Sequence, residues 1–377
     1  MRKILLASVA TLALSMGAAF AEDNQSQIDQ AGDNNNATVD QSGIGGRAFG
    51  SSAGGRNTIR QTQSGISDPA TGKIDTRQYS GGNTANATQA NAANGRIIQT
   101  QRRGSGNTVT ATQTTLNAGT RPNDIQQDQD GSDNSATATQ TGTTDSYIKQ
   151  YQYGDSNTAM ATMNAGAGGS TINQNQQGNR NNAIASVNPG SDRHTINQNQ
   201  YGSGNTATAS AGSGALFTIN QNQYSDNNVA VASMSNGNVY SITQNQRGGT
   251  GNYAEATTSS ASNGAITQNQ DGTNNQAFAT VAGSGNNVIQ NQTGTGNISY
   301  AYQGSAGGIG VSGSNITHNQ NGDRNNARSD QDSGSGLMAT INQTGNDNNA
   351  RTIQTGLNNV ALVNQNGSLN NVTITQK

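Results

Sequence analysis

The residue types that usually carry catalysis or metal binding are few in this chain, and their spacing is unfavourable. The two histidines, His194 and His318, lie far apart in sequence and away from acidic clusters, and there is no cysteine. The aspartates neither form the glycine-aspartate repeat that binds calcium nor belong to a nucleophile elbow or a pair of catalytic carboxylates. They fall mainly at predicted turns, where they would oppose aggregation: Asp128, Asp155, Asp226, Asp271, Asp323 and Asp347. We therefore predict a non-enzymatic protein with no catalytic, cofactor-binding or metal site.

The groups that do recur at fixed spacing are the amides of glutamine and asparagine. The phrase that runs from Ile172 to Gln176, Ile-Asn-Gln-Asn-Gln, returns unchanged from Ile196 and Ile219. It returns with Thr in place of the first Asn from Ile242 and Ile266, and more loosely from Val288 and Ile316. An amide both donates and accepts, so identical amides one above another can form a hydrogen-bonded ladder. A fixed period of 22 to 24 residues indicates one small unit stacked many times.

The elements that position these amides are predicted to be strands and tight turns. Around each phrase the pattern alternates with period two, which is typical of strands. Glycine two residues and asparagine five residues after the last Gln indicate a turn, because both tolerate positive φ. Gln343, Gln354, Gln365 and Gln376 recur every 11 residues, so one strand and one turn make half a unit. The sequence predicts an all-β fold, a β-solenoid of strand-turn-strand repeats with roughly 14 to 15 turns, cross-β when polymerised.

The alternation also assigns side chains to the inside of the solenoid. We predict an inward structural ladder made of Ile148, Gln150, Gln152, Asn157, Ala159, Ile172, Gln174, Gln176, Asn181, Ile196, Gln198, Gln200, Asn205, Ile219, Gln221, Gln223, Asn228, Gln244, Gln246, Gln268, Gln270, Asn275, Gln343, Asn348, Gln354, Asn359, Gln365, Asn370 and Gln376. The predicted turn glycines are Gly131, Gly154, Gly178, Gly202, Gly272, Gly345, Gly356 and Gly367. The asparagine between the two glutamines of each phrase points outward, either into solvent or into a surface ladder.

Composition and charge limit the possible partners. Only 29% of the residues are hydrophobic and the mean hydropathy is −0.76, values that without the repeat would suggest disorder. The net charge is −2, and no basic stripe suggests a nucleic-acid partner. Residues 1–21 have the basic start, short apolar run and small-residue end of a signal peptide, cleaved between Ala21 and Glu22. No later segment is apolar enough to span a membrane.

The repeats are predicted to fall into three regions. Residues 22–124 hold irregular repeats with glycine-rich arcs, residues 125–301 a regular array, and residues 302–377 C-terminal repeats that end in compact 11-residue half-units. Neither end of the array carries a polar cap. Uncapped edges invite another chain to pair.

The string Gln-x-Gly-x-x-Asn-x-Ala-x-Ala-x-Gln, as in residues 129–140, resembles the curlin repeat of bacterial curli subunits. Ser146, Gln152 and Asn157 match three positions of that repeat, but Met163 stands at the fourth; His194 replaces a leading serine. The resemblance implies a secreted protein, exported unfolded through an outer-membrane channel, that polymerises into amyloid fibres of a biofilm matrix on a Gram-negative-type bacterium. It also implies a nucleator subunit and periplasmic chaperones as partners.

Other functions remain open at this stage. The chain could be the nucleator itself, or a monomeric secreted solenoid that binds ice, a polysaccharide or a host protein. It could also be a β-helix carbohydrate enzyme, which the missing catalytic set disfavours. Tyrosines that follow the turn-preceding glutamine favour surface stacking over a ligand-binding strip: Tyr79, Tyr153, Tyr201 and Tyr224. The uncapped ends favour a self-assembling fibre subunit.

Overall fold

The computed structural model describes residues 24–43, 46–66, 72–92, 94–116, 121–304 and 311–377. The predicted signal peptide and its cleavage site lie outside the described residues. Within them every regular element is a β-strand and every strand pairing is parallel, so the predicted all-β solenoid is confirmed. The chain divides into two compact units, Met1–Asn164 and Ala165–Lys377.

The first unit contains twelve strands in two parallel ladders. Its strands are β1 (Gln25–Gln30), β2 (Asn36–Gly43), β3 (Arg47–Ser52), β4 (Thr58–Ile66), β5 (Lys73–Gln78), β6 (Thr84–Ala92), β7 (Gly95–Gln101), β8 (Thr108–Leu116), β9 (Asn123–Asp130), β10 (Ser135–Thr141), β11 (Tyr147–Tyr153) and β12 (Thr158–Met163). The odd-numbered strands stack in chain order as sheet 1a, and the even-numbered strands stack as sheet 1b.

The second unit repeats this arrangement. Its strands are β13 (Thr171–Gln177), β14 (Asn182–Val187), β15 (Ser191–Asp192), β16 (Thr195–Tyr201), β17 (Thr206–Ala211), β18 (Gly214–Gln223), β19 (Val229–Ser235), β20 (Gly237–Arg247), β21 (Tyr253–Thr273), β22 (Gln276–Ser284), β23 (Asn287–Thr295), β24 (Ile298–Gln303), β25 (Asn315–Asn321), β26 (Asn326–Ser335), β27 (Met338–Thr344), β28 (Asn349–Leu357), β29 (Val360–Asn366) and β30 (Asn371–Gln376).

Two ladders again hold the second unit together. Sheet 2a is formed by β13, β16, β18, β20, the second half of β21, β23, β25, β27 and β29. Sheet 2b is formed by β14, β17, β19, the first half of β21, β22, β24, β26, β28 and β30. The two-residue β15 pairs with the start of β18. One strand from each sheet makes one coil.

The register of strand pairing places residues of the same type above one another in successive coils. Ile172 pairs with Ile196, and Ile196 with Ile219, while the glutamines of the same strands pair with glutamines. Burial alternates along most strands, as in β13, where every second residue is buried. Because successive side chains point to opposite faces of a strand, the period-two pattern puts isoleucine, alanine and the amides inside.

The tight turn after the last Gln contains two residues with positive φ. In one copy they are Gly178, with φ of 118°, and Arg180, with φ of 56°. The sequence pattern indicated glycine and the asparagine five residues after Gln for this conformation. The structure differs at the second position, because the left-handed residue is the one before Asn181. That asparagine instead turns its side chain inward.

Candidate functional site: stacked amide ladders

The longest ladder is formed by the second glutamine of each phrase in unit 2. Each Nε2 donates to the Oε1 of the next coil at 2.8–3.0 Å, in the order Gln176, Gln200, Gln223, Gln246, Gln270, Gln292, Gln320, Gln343 and Gln365. The same nitrogen also donates across the core to a backbone carbonyl of sheet 2b, as Gln200 does to Asn182 at 3.0 Å. Both hydrogens of the amide are therefore used inside the core.

A second ladder uses the first glutamine of each phrase. It links Gln174, Gln198, Gln221, Gln244, Gln268 and Gln290 at 2.8–2.9 Å. Unit 1 has equivalent ladders through Gln78, Gln101, Gln129 and Gln152, and through Gln99, Gln127 and Gln150. Burying an amide costs free energy unless its hydrogen bonds are made, and the ladders make them.

A third ladder lies at the tight turn. The Oδ1 of each inward asparagine accepts from the backbone N–H of the asparagine one coil on, as Asn181 does from Asn205 at 3.0 Å. Its Nδ2 donates to the carbonyl of the turn glycine in the next coil, at 2.8 Å from Asn181 to Gly202. This asparagine therefore fastens consecutive turns to each other. A Cβ added to Gly178 would lie 2.0 Å from that same carbonyl oxygen, so this position requires glycine.

The structure places nearly all of the predicted ladder residues inside. Those in β11 to β28 are at most 1% exposed, and Gln365 is 5% exposed. Three predicted members, Asn359, Asn370 and Gln376, are half-buried. They belong to the coil of β29 and β30, which has a neighbouring coil on one side only. All eight predicted turn glycines have positive φ.

The final glutamine of the repeat forms a ladder in part of each unit. In unit 1 it joins Gln41, Gln63, Gln89, Gln113 and Gln140, and in unit 2 it joins Gln303, Gln331, Gln354 and Gln376. At other coils the equivalent inward position is occupied by a different residue, such as Met163 in unit 1 and Val187, Met234 and Val281 in unit 2, all buried. The departures noted in the sequence are thus places where apolar packing replaces an amide rung.

His318 interrupts the ladder of first glutamines. It pairs in register with Gln290 and Ile341. Its Nδ1 lies 2.8 Å from the Oγ of Ser299, and its Nε2 lies 2.7 Å from the Oγ of Ser329. Burial lowers the pKa of His318 to about 3, because the charged form would be desolvated. Beyond it the core becomes apolar around Ile341 and Val363.

The sequence pattern gave no role to a set of residues at the looser arc, six positions before the last Gln. Their side chains accept a backbone N–H from the next coil, as Ser170 does from His194 and His194 does from Phe217, at 3.1 and 3.0 Å. The rings of His194 and Phe217 stack at 4.7 Å, and desolvation lowers the pKa of His194. The leading serine of the repeat was the signal for this position, although its acceptor role depends on coils far apart in sequence.

The outward residues form ladders of their own. The asparagines between the paired glutamines bond to one another at 2.8–2.9 Å from Asn199 to Asn364, so they form a ladder from coil to coil along the outside of sheet 2a. Tyr201 and Tyr224 stack at 5.4 Å, and Arg247 lies over the Tyr224 ring. Both faces of the Tyr224 ring are therefore in contact with neighbouring side chains, as expected for surface stacking.

Neither metal nor membrane features are found in the described part of the chain. It holds no group of three or more His, Asp or Glu side chains that could bind a metal ion. No helix among the residues described is long and apolar enough to cross a membrane.

Comparison with protein families agrees with this geometry. The curlin associated repeat matches residues 316–345 and 345–377, which hold the last coils of unit 2. Residues 316–377 are therefore similar to curlin repeats. A search of curated proteins finds no match to the chain. Within the matched residues, Gln320, Gln343 and Gln365 form consecutive rungs of the ladder. The same rungs continue through the coils before them, beyond the matched residues.

Proposed function

We propose that the protein is a secreted structural subunit that polymerises into extracellular curli-like amyloid fibres. The observation that carries this proposal is that core amides of one coil bond to identical amides of the next, as from Gln200 through Gln223 and Gln246 to Gln270. Further coils of the same repeat can therefore be added to such a core. Whichever coil stands last in a stack presents unpaired strand edges and amides, which another chain of the same repeat can satisfy.

The direction of growth follows from the distribution of charge. Residues 352–376 contain no charged side chain, although they carry Ile353, Val360, Leu362, Val363 and Ile374. High β propensity without charge marks an adhesive edge. The first two strands of unit 1 and the turn between them carry Asp29, Asp33 and Asp40, which would oppose pairing between two such ends. We infer head-to-tail fibres in which the C-terminal coil docks on the N-terminal coil of the next molecule.

The partners and location belong to the same proposal. The curlin repeats support export of an unfolded chain, guided by residues 1–21, through an outer-membrane channel of the curli type, with a nucleator subunit and periplasmic chaperones. The fibres would lie on the cell surface and mediate adhesion and aggregation in a biofilm matrix. A non-enzymatic role is supported by the burial of His318 and Ser329, which contact each other but are both 0% exposed and out of reach of a substrate.

Assembly of the purified chain tests the proposal. We expect fibres that bind thioflavin and diffract with the roughly 4.8 Å spacing of stacked strands. A chain ending at Arg351 should show a longer lag than one shortened by a similar length at its start. A persistent monomer would instead support a surface-binding solenoid, and an unchanged lag after loss of 352–377 would show that growth does not begin at this end.

A further inference from the structure

The outer face of sheet 2a differs from the other strand faces in its charge. One outward row of sheet 2a, next to the tight turn, carries the paired charges Arg247 and Asp271. The other three outward rows run from Thr171, Asn173 and Asn175 in β13 to Val360, Leu362 and Asn364 in β29. Among the described residues, none of the members of these rows is charged. We call these rows the neutral face. The outward rows of sheet 2b, by contrast, include Glu255, Arg328, Asp330 and Arg351.

The asparagine row of the neutral face is chemically complementary to itself. Each asparagine of this row from Asn222 to Asn342 gives one N–H to the next coil and accepts one from the coil before. A primary amide has two N–H groups and two acceptor lone pairs. One donor and one acceptor per residue therefore remain available on the outside. A second neutral face offers the same groups in return.

The neutral face also carries exposed apolar side chains near its C-terminal end. Ile289, Met338, Val360 and Leu362 are between 39% and 58% exposed. Exposed apolar side chains that cluster on one face mark an interaction surface. Their burial would add a hydrophobic contribution to the amide contacts.

The size of the face fits a stable interface. Nine strands contribute to it. At about 4.8 Å between strands and about 3.4 Å per residue along them, five-residue stretches make a face on the order of 700 Å². A stable protein interface buries about 800 Å² on each partner.

We propose that the neutral face docks on the neutral face of a second copy of the chain, so that two fibres associate side by side. The contact is a polar zipper of asparagine and threonine side chains with an apolar patch at one end. A self-pairing of sheet 2b would instead bring Arg328 and Arg351 against their own copies and be repelled. The proposal rests on the proposed fibre-forming function.

Charge placed on one face or the other tests it. Thr243 and Thr267 lie outward on the neutral face, and Thr257 and Thr280 lie outward on sheet 2b in the same two coils. One double variant carries Thr243→Lys and Thr267→Lys. The matched control is a second double variant that carries Thr257→Lys and Thr280→Lys. The measurements are mass per unit length of the fibres by electron microscopy and the rate of elongation.

We expect the neutral-face variant to elongate within about twofold of wild type but to have about half its mass per length, while the control remains paired. Equal mass per length in all three proteins, or single fibres in both variants, would overturn lateral pairing and leave the fibre proposal intact. If the neutral-face variant is no longer retained on an insoluble polysaccharide while its mass per length equals that of wild type, the face binds glycan instead. Absence of fibres in wild type would overturn both proposals.

Discussion

The side-chain nitrogen of Gln198 donates a hydrogen bond of 2.9 Å to the side-chain oxygen of Gln221 one coil on. The same nitrogen donates to the carbonyl of Ile184 at 2.8 Å on the opposite sheet. One amide thus joins neighbouring coils and also joins the two sheets. A substitution that removes one of these amides therefore breaks both connections, and the resulting loss of stability can be measured.

Gln221→Ala should be much more destabilising than Asn222→Ala. The first change removes one buried hydrogen bond from each of the amides of Gln198 and Gln244, at about 1–3 kcal/mol each, and adds a cavity. The second removes a rung of the outward ladder, where water can replace it, and should cost less than about 1 kcal/mol. Urea unfolding of the two variants beside wild type measures the difference. Equal shifts in midpoint would contradict the structural importance of the inward ladder.

Gly178→Ala should be more damaging than Gly313→Ala, although both glycines have positive φ. A Cβ on Gly178 would lie 2.0 Å from the carbonyl oxygen of Gly202, whereas a Cβ on Gly313 would meet nothing within 4 Å. Gly313→Ala should therefore cost only the backbone strain of about 1–2 kcal/mol. Gly178→Ala must also push two coils apart. Amide hydrogen exchange in β13 and β16 should rise in the first variant alone.

Acid should loosen the coils around His318. The folded pKa is about 3 and the unfolded pKa is about 6.5, so the neutral form is favoured by folding. Its contribution to stability is complete above pH 6.5 and should fall by about 1.4 kcal/mol per pH unit down to about pH 3. The measurement is hydrogen exchange of residues 314–322 at pH 7 and pH 4.5, corrected for intrinsic rates.

The control for this prediction is His318→Gln, which restores the usual rung and removes the titrating group. It should abolish the added exchange at 314–322. It should leave untouched any acid effect near His194, whose pKa is also lowered by burial. Protection at 314–322 that is equal at both pH values in wild type would contradict the prediction.

Asp330→Asn should weaken unit 2 in a salt-dependent way. Arg328 and Arg351 are register partners on neighbouring strands, and each donates to Asp330 at 2.9 Å. Without the carboxylate the two guanidinium groups repel each other at short range, at about 1 kcal/mol in low salt. Added salt should reduce this cost because it screens exposed charges. Asp332→Asn, on the same strand, is the control, and equal salt dependence of the two unfolding midpoints would disprove the prediction.

Much of the core could be predicted because its pattern is local. The alternation around Gln174 and Gln176 fixes their common face, and the repeat fixes their partners. The partners of His318 could not be predicted. Ser299 and Ser329 stand 19 and 11 residues away, and neither serine is unusual until the coils are stacked. The acceptor role of Ser170 was missed for the same reason, since its partner His194 is 24 residues on.

The uneven spacing of the repeats has a genetic consequence. From Gln270 to Gln292 a coil takes 22 residues, and from Gln292 to Gln320 it takes 28, yet consecutive rungs bond at 3.0 and 2.9 Å. The arcs absorb the extra residues while the strands stay in register. Unequal crossing-over between the DNA segments that encode two coils can therefore remove or duplicate a whole coil and still join matching rungs. The length of the subunit can change over generations without a compensating mutation elsewhere.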